Sequence, residues 1–211
     1  MLSMSTRKER HDVRIAFLGK DKAWSQLARQ YLIGRAVELV EPAQADYGIS
    51  YLHPHRVAPE VLALPRVGFI NFHTAPLPDF RGVAGINFAI LEAVRIWGVS
   101  AHFMDATIDT GDIIEVRRFP ILPDEETALS LDLRSQNVLF QLFVDVMDTI
   151  LAGDTLPREP QGAGGRTISK ADFEAARRIL PSDPPELRER KRRAFFYPPH
   201  EGAIEADAPS D

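Results

Sequence analysis

The sequence predicts an α/β fold: a Rossmann-like, mostly parallel twisted sheet flanked by helices, followed by a short C-terminal extension. Three observations predict it. Short apolar runs that end at glycine or a polar cluster alternate with segments of helical period. A long amphipathic segment, roughly residues 125–152, closes the first three quarters of the chain. At 211 residues, 45% hydrophobic and 26% charged, the chain suits one substantial domain that buries most of its apolar surface.

The elements follow in order. "VRIAFLG", residues 13–19, has strand period, and the helix after it places Trp24, Leu27, Ala28, Tyr31 and Leu32 on one face. "RAVELV", "DYGISYL" and "RVGFINFH" read as three further strands. "GINFAILEAVRIWG" reads as a helix ending at Gly98, "VSAHFMDA" as a strand and "DIIEVRRFPI" as another. The long helix opens with the acidic "DEET", suited to its positive end, and closes at Gly153. "GDTLPREPQGAGG" is a turn-rich connector, and Ser169 caps a short helix over "SKADFEAARRI". The expected boundaries are a disordered tail at 1–12, a core unit at 13–153, an extension at 154–203 and a disordered tail at 204–211.

Composition excludes several functions. A net charge of −5 argues against a body dedicated to nucleic acid. With no cysteine, disulfides, thiolate catalysis and cysteine metal sites are ruled out, which fits a reducing cytoplasm. No apolar run reaches the roughly 18 residues of a membrane span, and the start lacks the apolar core of a secretory signal. Only Gly19 remains of a dinucleotide fingerprint, so a pyrophosphate cradle there has little support. No set of histidines and carboxylates has metal-ligand spacing, and no metal is expected.

The chemistry concentrates in "INFHTAPLPDFRG", residues 70–82. Asn71 and His73 are two apart in a strand and so share a face at its carboxyl end, where open α/β sheets place ligands. The crossover is expected to bring the "VSAHFM" strand back parallel, opening the polar "DATIDTGD" on the same edge. An amide, an imidazole and a carboxylate in one crevice suit acyl transfer: the amide donates to a developing oxyanion while the imidazole handles protons. With no evident protein nucleophile, a substrate atom attacks a bound acyl donor directly. Each residue alone is an ordinary turn former; the combination carries the reading.

"GFINFHTAPLPDFRG", the helix "INFAI" and "WGVSAHFMDATIDTGDII" resemble the N10-formyltetrahydrofolate-dependent formyltransferases, whose pattern is Asn-x-His, Leu-Pro-x-x-Arg-Gly and Asp-x-Gly, over about residues 46–121. The resemblance implies the formyltransferase fold and a catalytic trio of Asn71, His73 and Asp109. Asn71 would bind the formyl oxygen, His73 would assist proton removal from the attacking amine, and Asp109 would hold His73 and organise a water. It implies N10-formyltetrahydrofolate as co-substrate, with the pterin between the loops at 53–59 and 104–109, and His55, Arg56, Val57, Met104, Asp105, Ile108 and Asp109 around it.

Among acceptors, "INFHTAPLPDFRGVAGINFAI", "GVSAHFMD" and "RAFFYPPHEGA" look most like the sugar N-formyltransferases acting on nucleotide-linked 4-amino-4,6-dideoxy sugars. That likeness implies a cytoplasmic homodimer acting on a dTDP- or GDP-linked amino sugar for glycan assembly, without nucleic acid or membrane partners. Thr74, Pro76, Arg81, Gly82, Phe196 and Tyr197 would contact the substrate, and the extension would contribute substrate and dimer contacts. Methionyl-tRNA formyltransferases would carry a further OB-like domain of about a hundred residues. A glycinamide ribonucleotide enzyme, a formyltetrahydrofolate hydrolase and a folate- or nucleotide-binding module without turnover stand as alternatives. Two departures stand out: the part before Asn71 is shorter by roughly one βα unit, and Thr74 occupies a position where the sugar enzymes often have proline. "RERKRRAFFYPPH" joins five basic residues to Phe195, Phe196 and Tyr197, able either to neutralise a diphosphate and stack a base or to form a charged helix face with an aromatic anchor.

Overall fold

The structure, a computed structural model, describes residues 12–162 and 164–206. The expected tails therefore lie largely outside the described residues. Strand β1 (Arg14–Gly19) leads to helix α1 (Ala23–Gly34), a two-residue strand β2 (Glu38–Leu39) and strand β3 (Tyr47–Tyr51). A single turn of helix, α2 (Pro59–Leu62), precedes β4 (Gly68–His73) and the short β5 (Phe80–Gly82). Then come α3 (Gly85–Leu91), β6 (Ile96–Phe103), β7 (Ile113–Pro120) and the long α4 (Ala128–Leu151). The last part holds β8 (Arg166–Ile168), α5 (Lys170–Ala176), β9 (Arg178–Ile179), α6 (Pro185–Ala194) and β10 (Ile204–Glu205).

The central sheet has the order β2-β1-β3-β4-β6-β7. Its first four strands are parallel, as expected, but β6 runs antiparallel to β4 and β7 antiparallel to β6. The expected parallel return is corrected by helix length. The helix anticipated as far as Gly98 stops at Leu91, and Gly98 lies inside β6. Seven residues of helix advance about 10 Å, half the ~20 Å of a six-residue strand. The connection therefore stays at the carboxyl edge of β4, and β6 starts there, with Ser100 opposite His73 and His102 opposite Asn71.

Helix α4 covers one face of the sheet. Its side chain–backbone cap is reciprocal, Thr127 Oγ1 accepting from Ser130 N while Ser130 Oγ accepts from Thr127 N. The buried face includes Leu139, Phe143, Val146, Met147 and Ile150 at helical spacing. Phe143 meets Phe72 and Tyr51 edge-on at 5.2 and 5.3 Å between centroids, which ties β3 and β4 to the helix. Trp24 and Tyr31 of α1 pack against Phe140 of the same helix.

The segment beyond α4 folds back onto the sheet beside the start of β7, and Arg158 donates to Val67 O. Glu159 bridges Ile113, and β8 pairs in parallel with β5. Ser169 caps α5 in a capping box with Asp172. Helix α6 packs on α3, where Asn87 Nδ2 donates to Ala194 O at 2.7 Å, and Ala194 and Phe195 are buried. The tail anticipated at 204–211 starts too early, because Ile204 and Glu205 form β10 beside β9 and Ala206 N donates to Ile179 O. No helix among the described residues is long and apolar enough to cross a membrane.

Candidate active site

Strand alternation does what the spacing requires. Phe72 turns into the core under α4, and Asn71 and His73 project from the other face of β4. The loop after His73 is pinned to β6 by Ser100, whose hydroxyl donates to Ala75 O at 2.8 Å and accepts from Leu77 N at 2.9 Å. That loop contains a cis Leu77–Pro78 bond and curls back into β5, which delivers two anchors. Phe80 O lies 3.0 Å from His73 Nε2, and Gly82 N donates to Asp109 Oδ2 at 2.8 Å.

Asp109 reaches the cluster although β6 is antiparallel. The chain leaves the sheet after Phe103, loops through residues 104–112, and brings Asp109 back over His102 and His73. Asp109 Oδ2 is 3.7 Å from His73 Nδ1, and its Oδ1 is 3.5 Å from His102 Nε2. Asp109 adopts a left-handed backbone, φ +55°, which Asp tolerates better than most non-glycine residues. Gly111 closes the turn so tightly that a Cβ there would lie 2.0 Å from Phe103 O.

The partners fix the tautomers. A carbonyl only accepts, so His73 Nε2 carries the proton given to Phe80 O and Nδ1 is left as a bare base facing Asp109. Burial pushes the His73 pKa below its usual range, although the Asp109 charge works to raise it. For Asp109, burial works to raise the carboxyl, but His73, His102 and the Gly82 N–H more than offset it and hold the pKa at about 2. The resting state is therefore a neutral His73 beside an ionised Asp109.

His102 was not anticipated from the sequence. It is buried, its Nδ1 lies 2.8 Å from Phe103 O, and its Nε2 lies 3.2 Å from Asn71 Nδ2. With Nδ1–H donating to that carbonyl, Nε2 accepts from the Asn71 amide. Ser50 Oγ donates to Asn71 Oδ1 at 2.9 Å. The chain Ser50–Asn71–His102–Phe103 thus orients the Asn71 side chain and leaves one of its two N–H groups for a ligand. Gln161, from the connector, was also missed; it lies against both Arg81 and the Asp109 loop.

A cavity of about 480 Å³ opens at this cluster. His55, Arg56 and Val57 from one loop and Met104, Asp105, Ile108 and Asp109 from the other line it, with Asn71, His102 and Gly82 at its base and Ser169 and Lys170 at its rim. Arg56 bridges the loops by donating to Ala106 O. His53, at the same wall, has a buried Nδ1 with no hydrogen-bond partner. A second cavity, about 300 Å³, lies beside Thr74 and is bordered by Lys20, Lys22, Asn87, Gln136 and Tyr197.

The other residues anticipated as substrate contacts have these surroundings. Pro76 is buried, its ring close to Gly98. Arg81 donates from Nε and Nη2 to Gln161 Oε1, and Gly82 sits so close to Ile168 O that a Cβ would meet it at 2.3 Å. Phe196 is half exposed, and Tyr197 donates to Asp132 Oδ2 at 2.7 Å. The basic run of α6 is engaged within the chain: Arg188 and Arg192 pair with Glu205, Lys191 with Asp183, and Arg193 donates to the carbonyls of Pro123 and Glu126. It is a charged helix face with Phe195 as its buried anchor. Among the described residues no group of three or more histidines and carboxylates is arranged to hold a metal.

Comparison with known proteins agrees with this architecture. A methionyl-tRNA formyltransferase from Burkholderia cenocepacia is 34% identical over 160 residues, 76% of this chain but 48% of that protein. The chain therefore spans about half the length of the curated relatives it matches. Among solved structures, a 4-N formyltransferase from Francisella tularensis superposes with a TM-score of 0.74 at 19% identity, over 93% of each chain. The formyltransferase PseJ from Anoxybacillus kamchatkensis, in complex with UDP-4,6-dideoxy-4-formamido-L-AltNAc and tetrahydrofolate, superposes with a TM-score of 0.67 at 24% identity, over 77% of this chain and 88% of that one. A family model described as formyl transferase matches residues 4–147, and with most of the chain covered the protein belongs to the formyl transferase family.

Proposed function

We propose that the protein transfers a formyl group from N10-formyltetrahydrofolate to the amino group of a nucleotide-linked 4-amino-4,6-dideoxy sugar. The observation that carries the transfer step is the Asn71–His73–Asp109 cluster: Asn71, with one free amide N–H, and Asp109 line the first cavity, and the bare His73 Nδ1 faces Asp109 behind them. The cavity fits a flat heteroaromatic group: Val57, Met104 and Ile108 offer apolar walls, and His53 Nδ1 is a buried polar atom in need of a partner. The donor supplies an activated formyl carbon.

The roles follow from the hydrogen bonds. Asn71, held by Ser50 and His102, donates its remaining N–H to the oxygen on which charge develops. His73 Nδ1 takes the proton of the attacking amine, and Asp109 stabilises the imidazolium so formed. Gly82 N–H keeps the carboxylate aimed.

The second cavity suits the acceptor. Lys20 and Lys22 bring positive charge for phosphates, Tyr197 and Trp24 bring rings, and Asn87 and Gln136 bring hydrogen-bond groups. Gln136 Oε1 is buried without a partner. Lys20 also acts by charge on His53, which lines the first cavity, and helps hold that imidazole's pKa low. The amino-sugar reading is supported by the superposition on the 4-N formyltransferase, which includes the segment beyond α4. The identity to a methionyl-tRNA formyltransferase favours a second reading, an aminoacyl-tRNA acceptor. A panel of acceptors separates them: UDP-, dTDP- and GDP-linked 4-amino sugars, glycinamide ribonucleotide and methionyl-tRNA, with tetrahydrofolate release as the readout. Release with water alone at the same rate would replace transfer by hydrolysis, and preference for the tRNA would replace the sugar.

A further inference from the structure

Gln161 lies outside the residues that match the formyl transferase family model, in a connector rich in glycine and proline, yet its side chain is the most fully used amide near the cluster. Its Nε2 donates to Asp109 O at 3.0 Å and to Gly111 O at 2.8 Å. Its Oε1 accepts from Arg81 Nε at 3.1 Å and Arg81 Nη2 at 2.9 Å. Four bonds use both donors and both lone pairs, so the amide has one orientation. Flipped, its oxygen would face two carbonyls and its NH2 would face a guanidinium.

The backbone on either side of Gln161 is held as well. Glu159 exchanges two hydrogen bonds with Ile113, and β8 pairs with β5 a few residues on. Gln161 thereby stands two residues beyond the Glu159–Ile113 bridge, with its side chain on the main chain of Asp109 and Gly111. Such a hold suits the loop, because Asp109 sits at φ +55°, in the left-handed region. Arg81 and Gly82 are consecutive, and they act on Asp109 from two directions. Gly82 N–H fixes the carboxylate directly, while Arg81 fixes the main chain through Gln161.

We propose that Gln161 is a positioning residue: by tying Arg81 to the main chain of Asp109 and Gly111, it sets the distance between the Asp109 carboxylate and His73 Nδ1. The inference rests on the formyl-transfer reading of Asn71, His73 and Asp109. It also gives Arg81 a role as a brace in place of a substrate contact, and it makes the segment beyond α4 part of the catalytic apparatus.

The test uses the full chain with three substitutions. Gln161→Ala removes all four bonds. Gln161→Glu keeps an acceptor for Arg81 but turns a carboxylate oxygen toward the carbonyls of Asp109 and Gly111. Gln161→Met, apolar and of similar length, serves if the alanine variant melts below the assay temperature. The first readout is the His73 imidazole titration followed by NMR, which needs no turnover. The charged or titratable groups acting on His73 are Asp109 and His102, with the Phe80 carbonyl on Nε2. As the Asp109 charge recedes, the His73 midpoint should fall by about one pH unit. The second readout is kcat for formyl transfer, expected to fall at least tenfold in the alanine and glutamate variants, with the donor KM within threefold of wild type.

A purely structural role would lower the melting temperature and leave the midpoint and the kcat of folded protein where they are; that result overturns the proposal. So does wild-type kcat in Gln161→Glu, or a shifted midpoint without loss of rate. If the wild-type protein transfers formyl to none of the acceptors, the formyl-transfer reading fails, and the His73 midpoint in the variants still decides whether Gln161 sets Asp109.

Discussion

Asp109→Asn is the sharpest perturbation of the cluster. Asparagine accepts the left-handed backbone at φ +55° and keeps a carbonyl oxygen for Gly82 N–H, so the change removes charge and little else. The carboxylate stands 3.7 Å from His73 Nδ1, and both side chains are nearly withdrawn from solvent, at 11% and 14% exposure. Opposite charges at such a distance interact by about 4 kcal/mol at an effective dielectric of ~20. If the proton is half transferred in the transition state, about 2 kcal/mol of that is lost, or ~30-fold in rate; full transfer raises the loss to ~10³-fold. The expected fall in kcat is therefore about 10²-fold, read from tetrahydrofolate release. The acid limb of the rate profile should also move. In the wild type it reflects His73, whose pKa burial depresses and Asp109 partly restores, so the variant's limb shifts to lower pH. A stability signature accompanies it. The folded Asp109 carboxyl titrates at about 2 against an ordinary 3.8, so its contribution is complete above pH 3.8 and is lost as pH falls toward 2. That contribution is on the order of 2 kcal/mol, and acid unfolding of the asparagine variant lacks it. A variant within threefold of wild-type kcat, with its acid limb unmoved, would refute the pairing of Asp109 with His73.

Three further outcomes are expected. Asn71→Ala removes the amide that faces the developing oxyanion and leaves Ser50 Oγ and His102 Nε2 without that partner; steady-state kinetics should show kcat falling about 10²-fold or more, and a loss under tenfold contradicts the role. Gly111→Ala sets a Cβ against Phe103 O at 2.0 Å, and denaturant titration should register a loss of about 2 kcal/mol or more. Lys20→Ala with Lys22→Ala should raise the acceptor KM about tenfold while the donor KM stays put, and equal effects on both would remove the lysines from the acceptor site.

The sheet was legible because its signal is local. Ile15, Ile49, Ile70 and Phe72 recur at strand period, and each strand of the parallel half appears where the pattern puts it. Strand direction carries no such signal. Ile96 and Trp97 extend the apolar run of α3 and fit a helix face as well as a strand, so the helix looked long enough to return the chain to the far edge of the sheet. The turn at Ala93, φ +53°, ends that possibility in a residue with no marked turn preference. The basic run of α6 was legible as charge but not as pairing, since Glu205 and Asp183 neutralise it through contacts that only the fold creates.

The same division explains what could be read of the site. Asn71 and His73 announce themselves because two polar residues end an apolar strand on one face. His102 hides because a single histidine inside "VSAHFM" looks like core, and Gln161 hides because no pattern surrounds it. Both act across more than 25 residues of sequence, on Asn71 and on Asp109. The antiparallel return is what makes their work possible. Because β6 runs back along β4, His102 stands directly opposite Asn71, and the loop that follows must double over the sheet to carry Asp109 to His73. A loop that doubles back at a strained residue needs holding from outside, and the chain supplies that hold from β5 and the connector. The motif thus names the groups at the reacting centre, and the topology dictates which groups must brace them.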